Sequence, residues 1–73
     1  MPRTELSSTS LHAVAYWDRR ALLELEFRGG AVYRYFGVPA ETYQDLLRAE
    51  SKGAYFNHHI RNRFAYAKMP RQE

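Results

Sequence analysis

From Ala21 to Phe36 the chain reads "ALLELEFRGGAVYRYF", an alternating run, two glycines and a second alternating run. No other stretch limits the fold as strongly. Leu23, Leu25 and Phe27 fall on one side of a period-two pattern, and Glu24 and Glu26 on the other. That alternation marks a half-buried strand. Gly29-Gly30 accepts positive φ angles, so the run turns back on itself as a hairpin.

The hairpin register decides where Tyr33 and Tyr35 go, because a slip of one residue exchanges the two faces. A loop of Gly29-Gly30 alone sets Leu25 against Arg34 and puts both tyrosines beside Glu24 and Glu26. A loop of Arg28-Gly29-Gly30, read as a type I turn with a glycine bulge, sets Leu25 against Tyr33, Leu23 against Tyr35 and Glu24 against Arg34. Matched cross-strand pairs contribute about 0.2–1 kcal/mol each. A buried, unpartnered arginine costs roughly several kcal/mol. The second register is therefore favoured, with Tyr33 and Tyr35 mainly in the core and Arg34, Phe36 and Val32 pointing outward.

The flanking segments extend this unit. "LHAVAYW", Leu11 to Trp17, is a third strand, joined to the hairpin by the polar turn "DRR". Val38-Pro39 changes the rhythm. Proline suits the first helical position, and Glu41 follows where the helix dipole favours a negative charge. Tyr43, Leu46 and Leu47 form the apolar stripe of that helix. Ser51 is a suitable N-cap for a second helix from Lys52 to about Ile60, with Phe56 and Ile60 on its apolar side. Gly53 inside that helix implies close approach to a neighbour. The expected fold is α+β, a three-stranded antiparallel meander with a C-terminal α-hairpin on one face, in the order β-β-β-α-α. Residues 1–10 read as a flexible lead, 11–66 as one domain and 67–73 as a flexible basic tail.

At 73 residues the chain makes one domain with a small core. It has no cysteine, so disulfides, thiolate metal sites and cysteine nucleophiles are excluded together. A domain without such staples gains from dimerisation, and a homodimer is one expectation. No apolar run reaches the roughly 20 residues of a membrane span, and no signal peptide is visible, which fits a cytoplasmic protein. Charge is unevenly spread. Residues 1–51 carry six basic and seven acidic side chains; residues 52–73 carry Lys52, Arg61, Arg63, Lys68 and Arg71 against Glu73 alone. A basic end on a near-neutral body suits an anionic partner such as nucleic acid. The ordinary alternative is a solvated tail whose charge serves solubility.

The inventory for catalysis is thin. The chain has no nucleophile elbow, phosphate-cradling loop or HExxH pattern. His58-His59 are adjacent, about 100° apart on a helix, and chelate one ion poorly. The more ordinary reading has His59 near the core edge and His58 in solvent. Glu24 and Glu26 are better explained by pairing with Arg34 than by acid–base work. A non-enzymatic module without metal or cofactor is expected. Binding features are richer. Arg61, Asn62, Arg63, Tyr66, Lys68 and Arg71 interleave cationic and planar groups able to meet phosphates and bases, with Arg34 as a further stacking candidate. The rival expectation is protein interaction or self-association through the open sheet face or an edge strand.

Taken together, Tyr33-Arg34-Tyr35, "LELEF" before the glycine turn, Val38-Pro39 and "SKGAYFNHHI" resemble the KTSC domain family. Its central mark is a YxY motif. The likeness runs from Ser8 to Tyr66 and includes Ser51, Gly53, Phe56, Asn57 and Ile60. It implies mainly structural parts for Tyr33, Tyr35, Gly53 and Phe56. The family is named for the C-terminal region of some lysyl-tRNA synthetases, and that association implies RNA binding.

Overall fold

The computed structural model describes residues 3–70. Strands β1 (Thr4–Glu5), β2 (Leu11–Trp17), β3 (Leu22–Phe27) and β4 (Val32–Phe36) precede helices α1 (Ala40–Arg48) and α2 (Lys52–His59), and β5 (Ala65–Lys68) follows them. The strands form a single antiparallel sheet in the order β1-β2-β3-β4-β5. The α+β class holds, but the expected three strands become five. Two residues of the segment read as a lead form β1, and Leu6 beyond them is buried. Ala65 to Lys68 returns from the helices and closes on β4.

The hairpin has the three-residue loop. Leu25 pairs with Tyr33, Leu23 with Tyr35 and Glu24 with Arg34. The Phe27 amide donates to the Ala31 carbonyl at 2.8 Å, and the Gly30 amide to the Phe27 carbonyl at 3.0 Å. The turn is type II rather than type I. Gly29, at the third position, has φ 102° whereas Arg28 before it is not in the positive region, which is the type II pattern.

Cross-strand pairing puts Val14, Tyr16, Leu23, Leu25 and Tyr35 on one face, under Leu46, Phe56 and Ile60 of the helical layer. Leu11 shares this core although its sequence parity matches Ala13 and Ala15. A bulge between Leu11 and Ala13 takes up His12 and brings Leu11 opposite Phe27. Pro39 lies one residue earlier than expected, as the N-cap, with φ −67° and ψ 152°. Its carbonyl accepts from the amides of Thr42 and Tyr43. Ser51 caps α2 as expected, its hydroxyl accepting from the Ala54 amide at 3.2 Å. Gly53 lets α2 approach the chain before β2, because a Cβ there would lie 2.8 Å from Ser10 Oγ.

Arg28, at the hairpin tip, holds the N-terminal segment. Its guanidinium donates to the carbonyls of Ser8 (3.0 Å) and Leu6 (3.2 Å) and to His12 Nδ1 (2.9 Å). Its own amide donates to the Ser10 carbonyl at 2.9 Å. The face away from the helices carries Trp17, Leu22, Glu24, Glu26, Arg34 and Phe36, with Phe36 45% exposed.

Candidate functional site

Strand β5 creates the most distinctive surface. It places Tyr66 opposite Tyr35, and Lys68 opposite Tyr33, on the helix side of the sheet. Beside the C-terminal end of α2 the side chains of Phe27, Tyr33, Tyr35, Phe56, Arg61 and Tyr66 line a cleft of about 350 Å³. Its rings form a continuous set. Tyr33 and Tyr35 lie 6.4 Å apart between centroids, and Tyr66 is 5.8 Å from the first and 5.7 Å from the second. Phe56 meets Tyr35 edge-on at 5.7 Å and Phe27 at 5.2 Å, which makes the floor. Such edge-to-face pairs are favourable for aromatic quadrupoles and keep the rings in place.

The cation of this cleft comes from the end of α2. The Ile60 and Arg61 amides both donate to the Phe56 carbonyl, at 3.0 and 2.9 Å. Asn62 then takes a left-handed conformation, φ 62°, a position asparagine accepts more readily than most residues. The chain thus turns toward β5 with Arg61 beside the tyrosines. The Tyr35 hydroxyl is pushed up to about 12, first by burial and then by the phenols of Tyr33 and Tyr66; the Arg61 guanidinium acts in the opposite direction. Tyr35 is therefore a neutral structural ring at physiological pH, 4% exposed, whereas Tyr66 is 58% exposed.

A second, larger groove of about 750 Å³ lies on the opposite face, between Arg3, Glu24, Glu26, Val32, Arg34 and Met69. Its charges are internally matched. Arg34 Nε donates to Glu24 Oε1 at 2.8 Å, and Arg3 pairs with Glu26. Arg34 also sits over Trp17, 5.8 Å from the ring centroid. In the tyrosine cleft the balance differs: among the described residues Arg61 lines it and no carboxylate does. Among the described residues, no ion pair engages Arg61, Arg63 or Lys68. The contact Arg61 makes is a 3.5 Å hydrogen bond to Asn57 Oδ1.

The structure therefore gathers Arg61, Tyr66, Tyr33 and Tyr35 into one cleft and sets Lys68 on the same sheet face. Arg34 points outward with Glu24, as the register implies, and so lies on the opposite face from Arg61 and Tyr66, with which it was grouped as a binding candidate. Arg63 is exposed in the turn before β5, and Arg71 lies outside the described residues. Gly53 and Phe56 have packing parts, Phe56 as the cleft floor. Asn62, grouped with these cations in the sequence, also lines the cleft; its position follows from the turn that a left-handed asparagine makes. His58 and His59 are both exposed, so His59 is not tucked at the core edge; its ring stacks on Tyr55 at 4.4 Å. No helix among the described residues is long and apolar enough to cross a membrane.

A five-stranded antiparallel sheet with two helices on one face and an aromatic cleft at its margin defines a small α+β domain. The chain belongs to the KTSC domain family, whose model matches residues 7–64. It is similar to a KTSC domain protein from Yersinia pestis of known crystal structure, with a TM-score of 0.89, 33% identity, and coverage of 94% of this chain and 97% of that one. A protein from Stutzerimonas stutzeri is 47% identical over 57 residues, 78% of this chain and 80% of the relative. A lysine–tRNA ligase from Nostoc punctiforme is 38% identical over 55 residues, 75% of this chain but 10% of the ligase.

Proposed function

We propose that this domain is a non-catalytic nucleic-acid-binding module whose contact surface is the tyrosine cleft. One observation carries the reading: Arg61 stands at an aromatic cleft that no carboxylate of the described residues lines. A cation without a carboxylate partner beside planar rings suits phosphate contact combined with base stacking. Arg63 and Lys68 extend the positive charge, and the similarity to lysine–tRNA ligases, proteins named for an RNA substrate, agrees with it. Arg34 takes no part, being engaged by Glu24 and Trp17 on the other face.

The test is a titration of labelled short RNA and DNA in a salt series. Each phosphate contact steepens log K against log salt by about 0.7 on single strands and 0.9 on duplex DNA. Arg61→Ala with Lys68→Ala is expected to flatten the slope by about 1.4 on a single strand, that is, by two such contacts. Absence of binding at low salt, or an unchanged slope in that variant, removes the reading.

A second reading is self-association. Phe36 is 45% exposed on the uncovered face, which it shares with Trp17, and β5 is an edge strand of the sheet. Exposed apolar groups and unpaired strand edges favour a second copy. Light scattering over a range of concentrations decides it, a constant monomer mass counting against.

A further inference from the structure

We propose that the nucleic acid the cleft takes is single-stranded, with one unpaired base stacked on the outward side of Tyr66 and an adjoining phosphate at Arg61. This rests on the nucleic-acid reading above and narrows it.

The ring spacings set the mode of stacking. Aromatic surfaces in contact are separated by about 3.5–4 Å, so a base sandwiched between two rings needs roughly 7 Å between them. The three tyrosines stand 5.7, 5.8 and 6.4 Å apart. None of these gaps admits a base. The cleft is a platform, and Tyr66, 58% exposed, is its accessible ring. Tyr33 and Tyr35 brace Tyr66 from within and fix its plane.

A platform needs a ligand that offers a π-face. A base inside a duplex hides its faces in the stack and presents only edges in the grooves. A single strand presents the face directly, and stacking of this kind tolerates any base. Charge selects a polyanion over the other common ligand of aromatic grooves, a proline-rich peptide. Such a peptide brings no charge to Arg61, which has no carboxylate partner among the described residues. The matched groove on the opposite face offers an anion nothing comparable, because Glu24 and Glu26 already hold its arginines.

The experiment compares oligo(U), oligo(dT), a blunt mixed-sequence DNA duplex and a proline-rich peptide as ligands at one low salt concentration. It uses the wild-type domain, Tyr66→Phe and Tyr66→Leu, each checked for folding by circular dichroism. The single strands are expected to bind at least about tenfold more tightly than the duplex. Tyr66→Phe keeps the ring and stays within about twofold. Tyr66→Leu weakens single-strand binding by about tenfold, inside the range for loss of one stacked base, and leaves the weak duplex binding as it is. Amide chemical shifts on adding oligo(U) should change at Tyr33, Arg61 and Tyr66 and not at Glu24 or Trp17. Duplex binding as tight as single-strand binding overturns this inference while leaving the nucleic-acid reading intact. Equal losses in Tyr66→Phe and Tyr66→Leu overturn the stacking role. Binding of the peptide alone, or of none of the four ligands, overturns both.

Discussion

Gly53 shows how one missing methyl group is used. Replacing a helical glycine by alanine usually stabilises by about 1 kcal/mol through propensity. Here the added Cβ would lie 2.8 Å from Ser10 Oγ and 3.2 Å from Ser10 Cβ, and overpacking costs about 1–3 kcal/mol. The two effects are of similar size, so Gly53→Ala should give no stabilisation or a loss of up to about 2 kcal/mol. In a Ser10→Gly background the obstruction is gone and the same change should regain about 1 kcal/mol. Urea unfolding of the four variants measures this coupling, and an additive cycle would refute the contact. Tyr35 supplies a pH signature. Its hydroxyl is raised from 10.0 to about 12 in the fold, so the folded protein keeps a proton that the unfolded chain releases in that interval. Unfolding there liberates the proton, and rising pH favours it. Stability is intact below pH 10 and falls as pH climbs toward about 12. Tyr16 and Tyr55, raised mainly by burial, act in the same direction. Thermal melts between about pH 9 and 11 should show the fall, and Tyr35→Phe should make it shallower.

At the scale of elements, legibility followed sequence distance. The β3–β4 hairpin and the two helices are local patterns, each announced by its own residues, and their registers and caps could be read almost to the residue. Ser51 is an example. Its hydroxyl satisfies the Ala54 amide at 3.2 Å, and Ser51→Ala is expected to cost about 1 kcal/mol, seen as a lower denaturation midpoint at unchanged m-value. What escaped was non-local. "AYAK" is four residues with alternating small and large groups, too short for periodicity to declare; it becomes β5 because β4, some thirty positions earlier, offers an edge. The N-terminal strand is two residues long, too short to show a period, and pairs with Ala13 and Val14 in the middle of β2. The bulge at His12 breaks the very parity on which a strand reading depends, and so Leu11 entered the core against its apparent side. The candidate site inherits this division. Tyr33 and Tyr35 and the cationic Arg61 were legible singly. Their union with Tyr66 was not, because β5 is what joins them.

Across the whole molecule, one side chain links the two ends of the sheet's first half. Arg28 reaches the carbonyls of Leu6 and Ser8 and the ring of His12 only because the turn at Gly29-Gly30 has already set it there. Arg28→Ala removes three hydrogen bonds at a largely exposed site, and the expected loss of global stability is modest, about 1 kcal/mol. The local effect should be larger. Subtilisin digestion under native conditions should nick the variant between Leu6 and Ser10 well before the wild type, with the rest of the chain equally resistant in both. Similar cleavage rates would mean that burial of Leu6 alone secures the segment. The clasp also implies a sequence of events in time. Leu6 and Ser8 gain their bonds to Arg28 only once the hairpin tip exists, so this stretch is fastened after the hairpin has formed.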